Sequence, residues 1–369
     1  MRPWFGKAEE AAVAEVIASG WVAQGPRVAE FERAFASRIG AGHGVAVSSC
    51  TTALHLALVL AEIGPGDEVI VPSLSFIATA NVVTYVGAEP VFADIDPATG
   101  NLTAKTVGAA LTPRTRAVIV VHQGGVPADV AEIRAAHPGL IVIEDAACAA
   151  GSVYRDRPVG AGAELAAWSF HPRKLLTTGE GGMLTLTDAD LAARARRLRE
   201  HGMSVSAADR HATGSTAPES YLEVGFNYRM TDLQAAVGIV QLGRLAEMVA
   251  RRRELAARYR EGLAGIPGLR AVTDPPYGQT NYQSFWVALP EDFPMGRDEL
   301  LAYLAKRGVS ARRGIMAAHL EPAYAGARAG ELPATEWLTR NSLILPLFHA
   351  MTEADQDQVI EALCAAAEG

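Results

Sequence analysis

The 369-residue sequence is short of cysteine, of net positive charge and of long apolar runs, and each shortage excludes something. Its three cysteines, Cys50, Cys148 and Cys364, are an odd number without metal-ligand spacing, so neither a disulfide framework nor a zinc site is supported. Lysine and arginine number 33 against 41 aspartates and glutamates, and the formal net charge of -8 argues against general nucleic-acid binding. No apolar stretch is long enough to cross a bilayer. The N-terminal MRPWFGKAEEAAVAEVIASGW mixes acidic residues into a helical pattern, unlike a secretory signal. A soluble cytoplasmic protein without nucleic-acid or membrane partners is expected. There is no internal repeat and no low-complexity tract. A G-x-G-x-x-G turn is also missing: HGVAVSSCTTAL stands where a dinucleotide-binding oxidoreductase would carry it.

What is present is an alternation of short apolar runs and helical patterns. VAEFERAFASRIG has helical spacing, HGVAVSS reads as a buried strand, and TTALHLALVLAEIG returns to helix, ending at Gly64. DEVIVPS, EPVFADI, TRAVIVVH and GLIVIEDA follow as Val- and Ile-rich strands with helices between most of them. Such alternation predicts an α/β fold, a mostly parallel sheet covered on both faces. A polar stretch from Met203 to Val224 has little periodicity, and loops of that length are usually functional. LQAAVGIVQLGRLAEMVARRRELAARYREGL predicts one long helix or two joined ones. Beyond it, SFWVALP, RDELLAYLAKRG, SARR and a last helix after MTEADQDQ read as a smaller α+β part. The expected division is residues 1–245 and 246–369.

Four features fall at the carboxyl ends of predicted strands, where open parallel sheets bind ligands. Ser48 to Thr52 turn a strand into a helix whose first N–H groups suit a phosphate; taken alone, this reads as a capped helix that binds nothing. Glu144 and Asp145 end the strand in IVIEDAA; a carboxylate there either caps a helix or holds a cationic ring nitrogen. Phe76 follows another strand and either stacks on a planar ligand or packs in the core. Lys174 lies in WSFHPRKLLTTGEGGML, between apolar runs and just before three glycines. A surface loop lysine is the ordinary reading. In a partly desolvated loop, burial lowers a lysine's pKa and frees the neutral amine that a Schiff base requires. Together the four parts describe bound pyridoxal 5'-phosphate.

SSCTTALHLAL, PGDEVIVPSLSFIATANVV, IEDAACAAGS, SFHPRKLLTTGEGG and GFNYRMTDLQAA resemble the DegT/DnrJ/StrS group of sugar aminotransferases, fold-type I enzymes related to aspartate aminotransferase. The resemblance covers nearly the whole chain. It implies that Lys174 forms an aldimine with the cofactor and then shuttles a proton, that Asp145 pairs with the pyridine nitrogen, and that Phe76 stacks on the ring. The amides of Cys50 and Thr51 and the Ser169 hydroxyl would hold the phosphate, and Asn227 would reach the phosphate of a neighbouring subunit, making the protein a homodimer. Arg229 would meet the donor's carboxylate or a substrate phosphate; Arg312, Arg313, His319 and Tyr324 are candidate substrate contacts. Cys148 departs from the family, which often has Gln or His there near the phenolic oxygen; a small residue packed against the ring is expected. His171 is expected to be structural.

Related dehydratases carry histidine where this chain has Lys174, so transamination from glutamate or glutamine to a keto sugar is implied. A nucleotide-linked 4-keto-6-deoxysugar is the first expectation. A cyclic ketone of the aminocyclitol type and a non-catalytic cofactor-binding regulator are the alternatives.

Overall fold

The computed structural model describes residues 3–205, 210 and 218–369. The chain opens with two helices, α1 (Lys7–Ser19) and α2 (Pro26–Ile39), then enters strand β1 (His43–Val47) and helix α3 (Cys50–Leu60). It continues through β2 (Glu68–Pro72), α4 (Ala78–Tyr85), β3 (Glu89–Ala93), α5 (Ala104–Ala110), β4 (Thr115–Val121), α6 (Val130–Ala136) and β5 (Ile141–Asp145). Two short pieces, β6 (Val153–Tyr154) and β7 (Arg157–Pro158), precede the hairpin β8 (Leu165–Ser169) and β9 (Gly182–Leu186). The main sheet has the order β1-β9-β8-β5-β4-β2-β3. All its pairings are parallel except the two made by β9.

Burial on both faces explains why these strands are almost continuously apolar. Along β4, Val118 and Val120 enter one hydrophobic cluster while Ala117 and Ile119 enter another on the opposite side. Parallel strands end on one edge, so the residues after β1, β2, β5 and β8 converge there.

After α7 (Ala189–Leu198) come α8 (Asp232–Gly243) and α9 (Leu245–Leu263). The long apolar pattern is therefore two helices, with an angle of 57° between them at Arg244. No single described helix is long and apolar enough to cross a membrane. The remaining elements are β10 (Arg270–Ala271), β11 (Gly278–Gln279), β12 (Phe285–Ala288), α10 (Arg297–Lys306), β13 (Arg312–Arg313), α11 (Pro333–Asn341), β14 (Ser342–Leu345) and α12 (Glu353–Glu368). A second, antiparallel sheet runs β10-β12-β14-β13. Its Phe285 and Val287 share a cluster with Val118 and Val120, so the two sheets lean on one continuous core.

Two expectations differ in detail. The helix expected to reach Gly64 ends at Leu60, and Glu62 takes a left-handed φ of 55° before that glycine. The polar stretch from Met203 to Val224 starts as a bridge, Met203 to Tyr221; its residues 206–209 and 211–217 lie outside the described residues.

Candidate active site

Lys174 sits in the loop that joins β8 to β9. The loop closes on itself: Phe170 N donates to Gly181 O at 2.9 Å, Thr178 N to Phe170 O at 3.0 Å and Lys174 N to His171 O at 2.8 Å. His171 Nδ1 accepts from Arg173 N at 3.1 Å, which makes it part of the turn, as expected. Two glycines are required for different reasons. Gly179 has φ 86°, a left-handed conformation, and a Cβ on Gly182 would lie 2.3 Å from the Ser49 carbonyl carbon. Only glycine lets β9 pass so close to the start of α3.

The Lys174 amine donates to Cys148 Sγ at 3.1 Å. Burial by itself lowers the lysine's pKa, but the Cys148 and Cys50 thiols and the Asp145 carboxylate around it outweigh that, and the pKa is raised. This corrects the expectation of a lysine depressed by burial: the acceptor sulfur of Cys148 and the Asp145 carboxylate outweigh burial before a cofactor takes the amine. Cys148 also does more than fill space, because its sulfur is the amine's direct partner.

Asp145, at the end of β5, is buried at 5% exposure and makes no ion pair among the described residues. Its Oδ1 accepts from Ala147 N at 3.1 Å and its Oδ2 from Thr79 Oγ1 at 3.0 Å. Cys50 Sγ lies 3.9 Å from Oδ1. Burial raises the Asp145 pKa against these hydrogen bonds and the nearby Lys174 and His122. Burial, and then Asp145, push the Cys50 thiol well above its usual range, so it stays neutral. Thr79 also shares a 2.8 Å hydrogen bond with Ser75, and its amide donates to Phe76 O at 3.1 Å. The Phe76 loop is thereby tied to the carboxylate. Phe76 is 64% exposed, which removes the core-packing reading.

The N-terminus of α3 is capped by Ser49, whose Oγ accepts from Thr52 N at 3.2 Å. The amides of Cys50 and Thr51, in the first turn, have no helical acceptor. Ser169, half-buried at the end of β8, completes that edge. A planar cofactor with a phosphate at one end and a protonatable ring nitrogen fits this donor set. There are free helix amides for the phosphate, a buried carboxylate without an ion pair among the described residues for the ring, an exposed aromatic, and an amine.

The other predicted residues are spread around this centre. Asn227 and Arg229 belong to a segment running beside the end of β1: Arg229 bridges Val47, Ser48 N donates to Tyr228 O at 2.8 Å, and Asn227 bridges Glu200. Asn227 is exposed. Arg312 and Arg313, neighbours on β13, point to opposite sides. Arg312 has Arg173 and Cys148 close enough to act on its charge, and burial and then Arg173 lower its pKa. Arg313 is instead within electrostatic reach of Asp298 on α10. His319 Nδ1 shares a 2.6 Å hydrogen bond with Ser73 Oγ at the end of β2. Tyr324 is buried against Phe92, and its hydroxyl donates to Asn81 Oδ1 at 2.7 Å. Two residues that sequence reasoning missed, Asn281 and Gln283, bond directly to the Cys148 and Lys174 loops. The only signal for them is an unbroken polar run, TNYQS, just ahead of an apolar strand.

The profile of the DegT/DnrJ/EryC1/StrS aminotransferase family matches residues 4–364. The aminotransferase TlmJ from Streptoalloteichus hindustanus is 40% identical, with 99% of this chain and 97% of that one covered and a TM-score of 0.91. DesV of S. venezuelae, solved in complex with a ketimine intermediate, is 38% identical over 98% of this chain and 94% of its own, with a TM-score of 0.89. Spr1654 from Streptococcus pneumoniae, solved in its PMP form, is 27% identical over 100% of this chain and 98% of its own, with a TM-score of 0.92; it is also known in a PLP form. An oxidoreductase and a non-catalytic regulator are both set aside by these likenesses. The chain belongs to the DegT/DnrJ/EryC1/StrS aminotransferase family, and it is an enzyme whose cofactor is pyridoxal 5'-phosphate.

Proposed function

We propose that this enzyme moves an amino group from glutamate or glutamine to a keto sugar, a nucleotide-linked 4-keto-6-deoxysugar, in amino sugar biosynthesis. The observation that carries the reading is the Lys174 amine in the β8–β9 loop, 3.1 Å from Cys148, beside a buried carboxylate that makes no ion pair among the described residues. The cofactor supplies a carbonyl for the incoming amine and an electron sink for the carbon it leaves. The chain supplies everything else. Lys174 holds the cofactor and, when displaced, carries the proton between the substrate carbon and the cofactor. Asp145 keeps the ring nitrogen protonated, with Thr79 orienting one of its oxygens. Phe76 covers the ring, Cys148 lies near its phenolic oxygen, and the Cys50 and Thr51 amides with Ser169 bind the phosphate.

Arg312 is the first substrate contact in this reading, since a diphosphate invites guanidinium pairing and no ion pair engages it among the described residues. His319 shapes the acceptor side through Ser73, and Tyr324 acts behind it through Asn81. Arg229 is assigned to the donor carboxylate or a substrate phosphate. The exposed Asn227 reaches the phosphate of a second subunit in a homodimer. Residues 1–245 form the cofactor-binding part and 246–369 the smaller part, in a cytoplasmic enzyme without nucleic-acid or membrane partners.

The test is absorption spectroscopy of the wild type and of Lys174→Ala, followed by an acceptor screen. Glutamate should bleach the visible band of the wild type, and the variant should show no lysine-linked band. The aminated enzyme should then regain its band with a nucleotide-linked 4-keto-6-deoxyhexose and not with a free inosose. Recovery with the inosose alone would move the assignment to a cyclic ketone.

A further inference from the structure

Thr280, Asn281, Gln283 and Ser284 are four buried polar residues on either side of Tyr282, whose ring packs in the hydrophobic core. Such a run is tolerated only where its groups are hydrogen-bonded. Two of its side chains bond to the active-site loops. Gln283 Oε1 accepts from Leu175 N at 2.7 Å, and Gln283 Nε2 donates to Arg173 O at 2.6 Å. One side-chain amide therefore grips the main chain on both sides of Lys174, as a paired strand residue would. Asn281 Nδ2 donates to Cys148 O and Ala150 O, both at 2.8 Å, and Asn281 Oδ1 accepts from Gln283 N at 2.7 Å. The amine and the thiol it touches are thus held by one three-residue segment.

That segment is built at a cost. Tyr282, between the two amides, has φ 50°, a left-handed conformation costing roughly 1–3 kcal/mol for a bulky residue. Its carbonyl and that of Gln283 accept from Arg252 Nη1 at 2.9 and 3.2 Å, with Arg252 itself buried. Across the segment, a Cβ on Gly125 would lie 1.9 Å from Asn281 Oδ1, so glycine is needed there for the approach.

We infer that Gln283 is a positioning residue for Lys174, and Asn281 for Cys148. The latch fixes where the amine stands, so that Lys174, once displaced, returns to the same place beside Cys148. This rests on the role proposed above for Lys174. It also explains the choice of glutamine. Glutamate keeps the bond from Leu175 but sets a carboxylate against the Arg173 carbonyl, and methionine of similar volume makes neither bond.

Two measurements on Gln283→Met test the inference, with Gln356→Met as the control. Gln356 is a buried glutamine that donates to Leu255 O at 2.9 Å, away from the site. In the cofactor-free protein, amide hydrogen exchange across residues 174–176 should quicken at least tenfold in Gln283→Met and stay unchanged in Gln356→Met. In the loaded enzyme, the pH at which the visible band changes should shift in Gln283→Met, return part of the way in Gln283→Glu and stay put in the control. Unchanged exchange, or quickened exchange with an unmoved spectral transition, would overturn the inference. Should Gln283→Met not fold, the same two readouts on Gln283→Glu decide. A wild type without any lysine-linked band would defeat the proposed function instead, and the exchange comparison would still judge the latch.

Discussion

Glu144 and Asp145 are consecutive residues of β5, buried to the same degree at 4% and 5% exposure, yet the two sides of the strand treat them oppositely. On one side, Glu144 meets His122 Nε2 at 3.3 Å and Arg134 Nη2 at 3.5 Å, and its charge is answered by the protein itself. On the other, Asp145 receives hydrogen bonds from a threonine and a main-chain amide but no ion pair among the described residues. A buried carboxylate without an ion-pair partner is costly. Its retention makes sense where a ligand brings the missing charge. At equal burial, the comparison separates a carboxylate answered by the protein from one that the proposed function leaves for a ligand.

The strongest way to break that comparison is to remove each charge in turn. Under the proposed function, Asp145→Asn should lower kcat by about a thousandfold, some 4 kcal/mol of barrier, because the ring nitrogen would lose its partner. Glu144→Gln should leave kcat/KM within about threefold and instead cost stability, about 3 kcal/mol, by uncoupling His122 and Arg134. Steady-state kinetics together with urea denaturation of both variants would check this. A Glu144 variant as inactive as the Asp145 one would erase the distinction.

Arg312 and Arg313 repeat the pattern on β13, with one guanidinium near Cys148 and its neighbour near Asp298. Arg312→Gln should raise the acceptor KM about tenfold, the loss of one charge-assisted hydrogen bond, and leave the donor half-reaction intact. Arg313→Gln should change neither by more than about twofold. Measuring the two half-reactions separately distinguishes them, and equal effects from both variants would show that β13 carries a general positive field.

These pairs also mark what was legible in the sequence. The strand IVIED and its terminal carboxylates could be read from apolar periodicity, and so could the lysine loop, since both depend on local pattern. Which of two adjacent charges finds a partner depends on how other segments fold over the strand: Glu144 meets His122 and, ten residues back, Arg134 on α6, whereas Asp145 meets Thr79 on α4, 66 residues away. The Asn281–Gln283 latch was illegible for the same reason, as its partners stand more than a hundred residues away. The strand β14, central to the second sheet, follows directly on α11 without turn residues, so nothing local announces it. The raised pKa of Lys174 depends on two thiols and a carboxylate brought to its loop from two other segments, around Cys50 and Asp145–Cys148.

The smallest expected effect tests the comparison most directly. Burial holds the Asp145 pKa above its unfolded value of about 3.9. Between those two values the folded protein binds more protons than the unfolded chain, so this group's contribution to stability falls as pH rises, then levels off above the folded pKa. Asp145→Asn removes that penalty. In the cofactor-free protein the variant should therefore match the wild type near pH 4 and surpass it at pH 8, by roughly 1 kcal/mol in urea denaturation. With the cofactor bound, the ring nitrogen answers the carboxylate and the order should invert, the wild type becoming the more stable of the two. A cofactor-free variant less stable than the wild type at pH 8 would mean that the protein itself satisfies Asp145, and the carboxylate would then belong with Glu144.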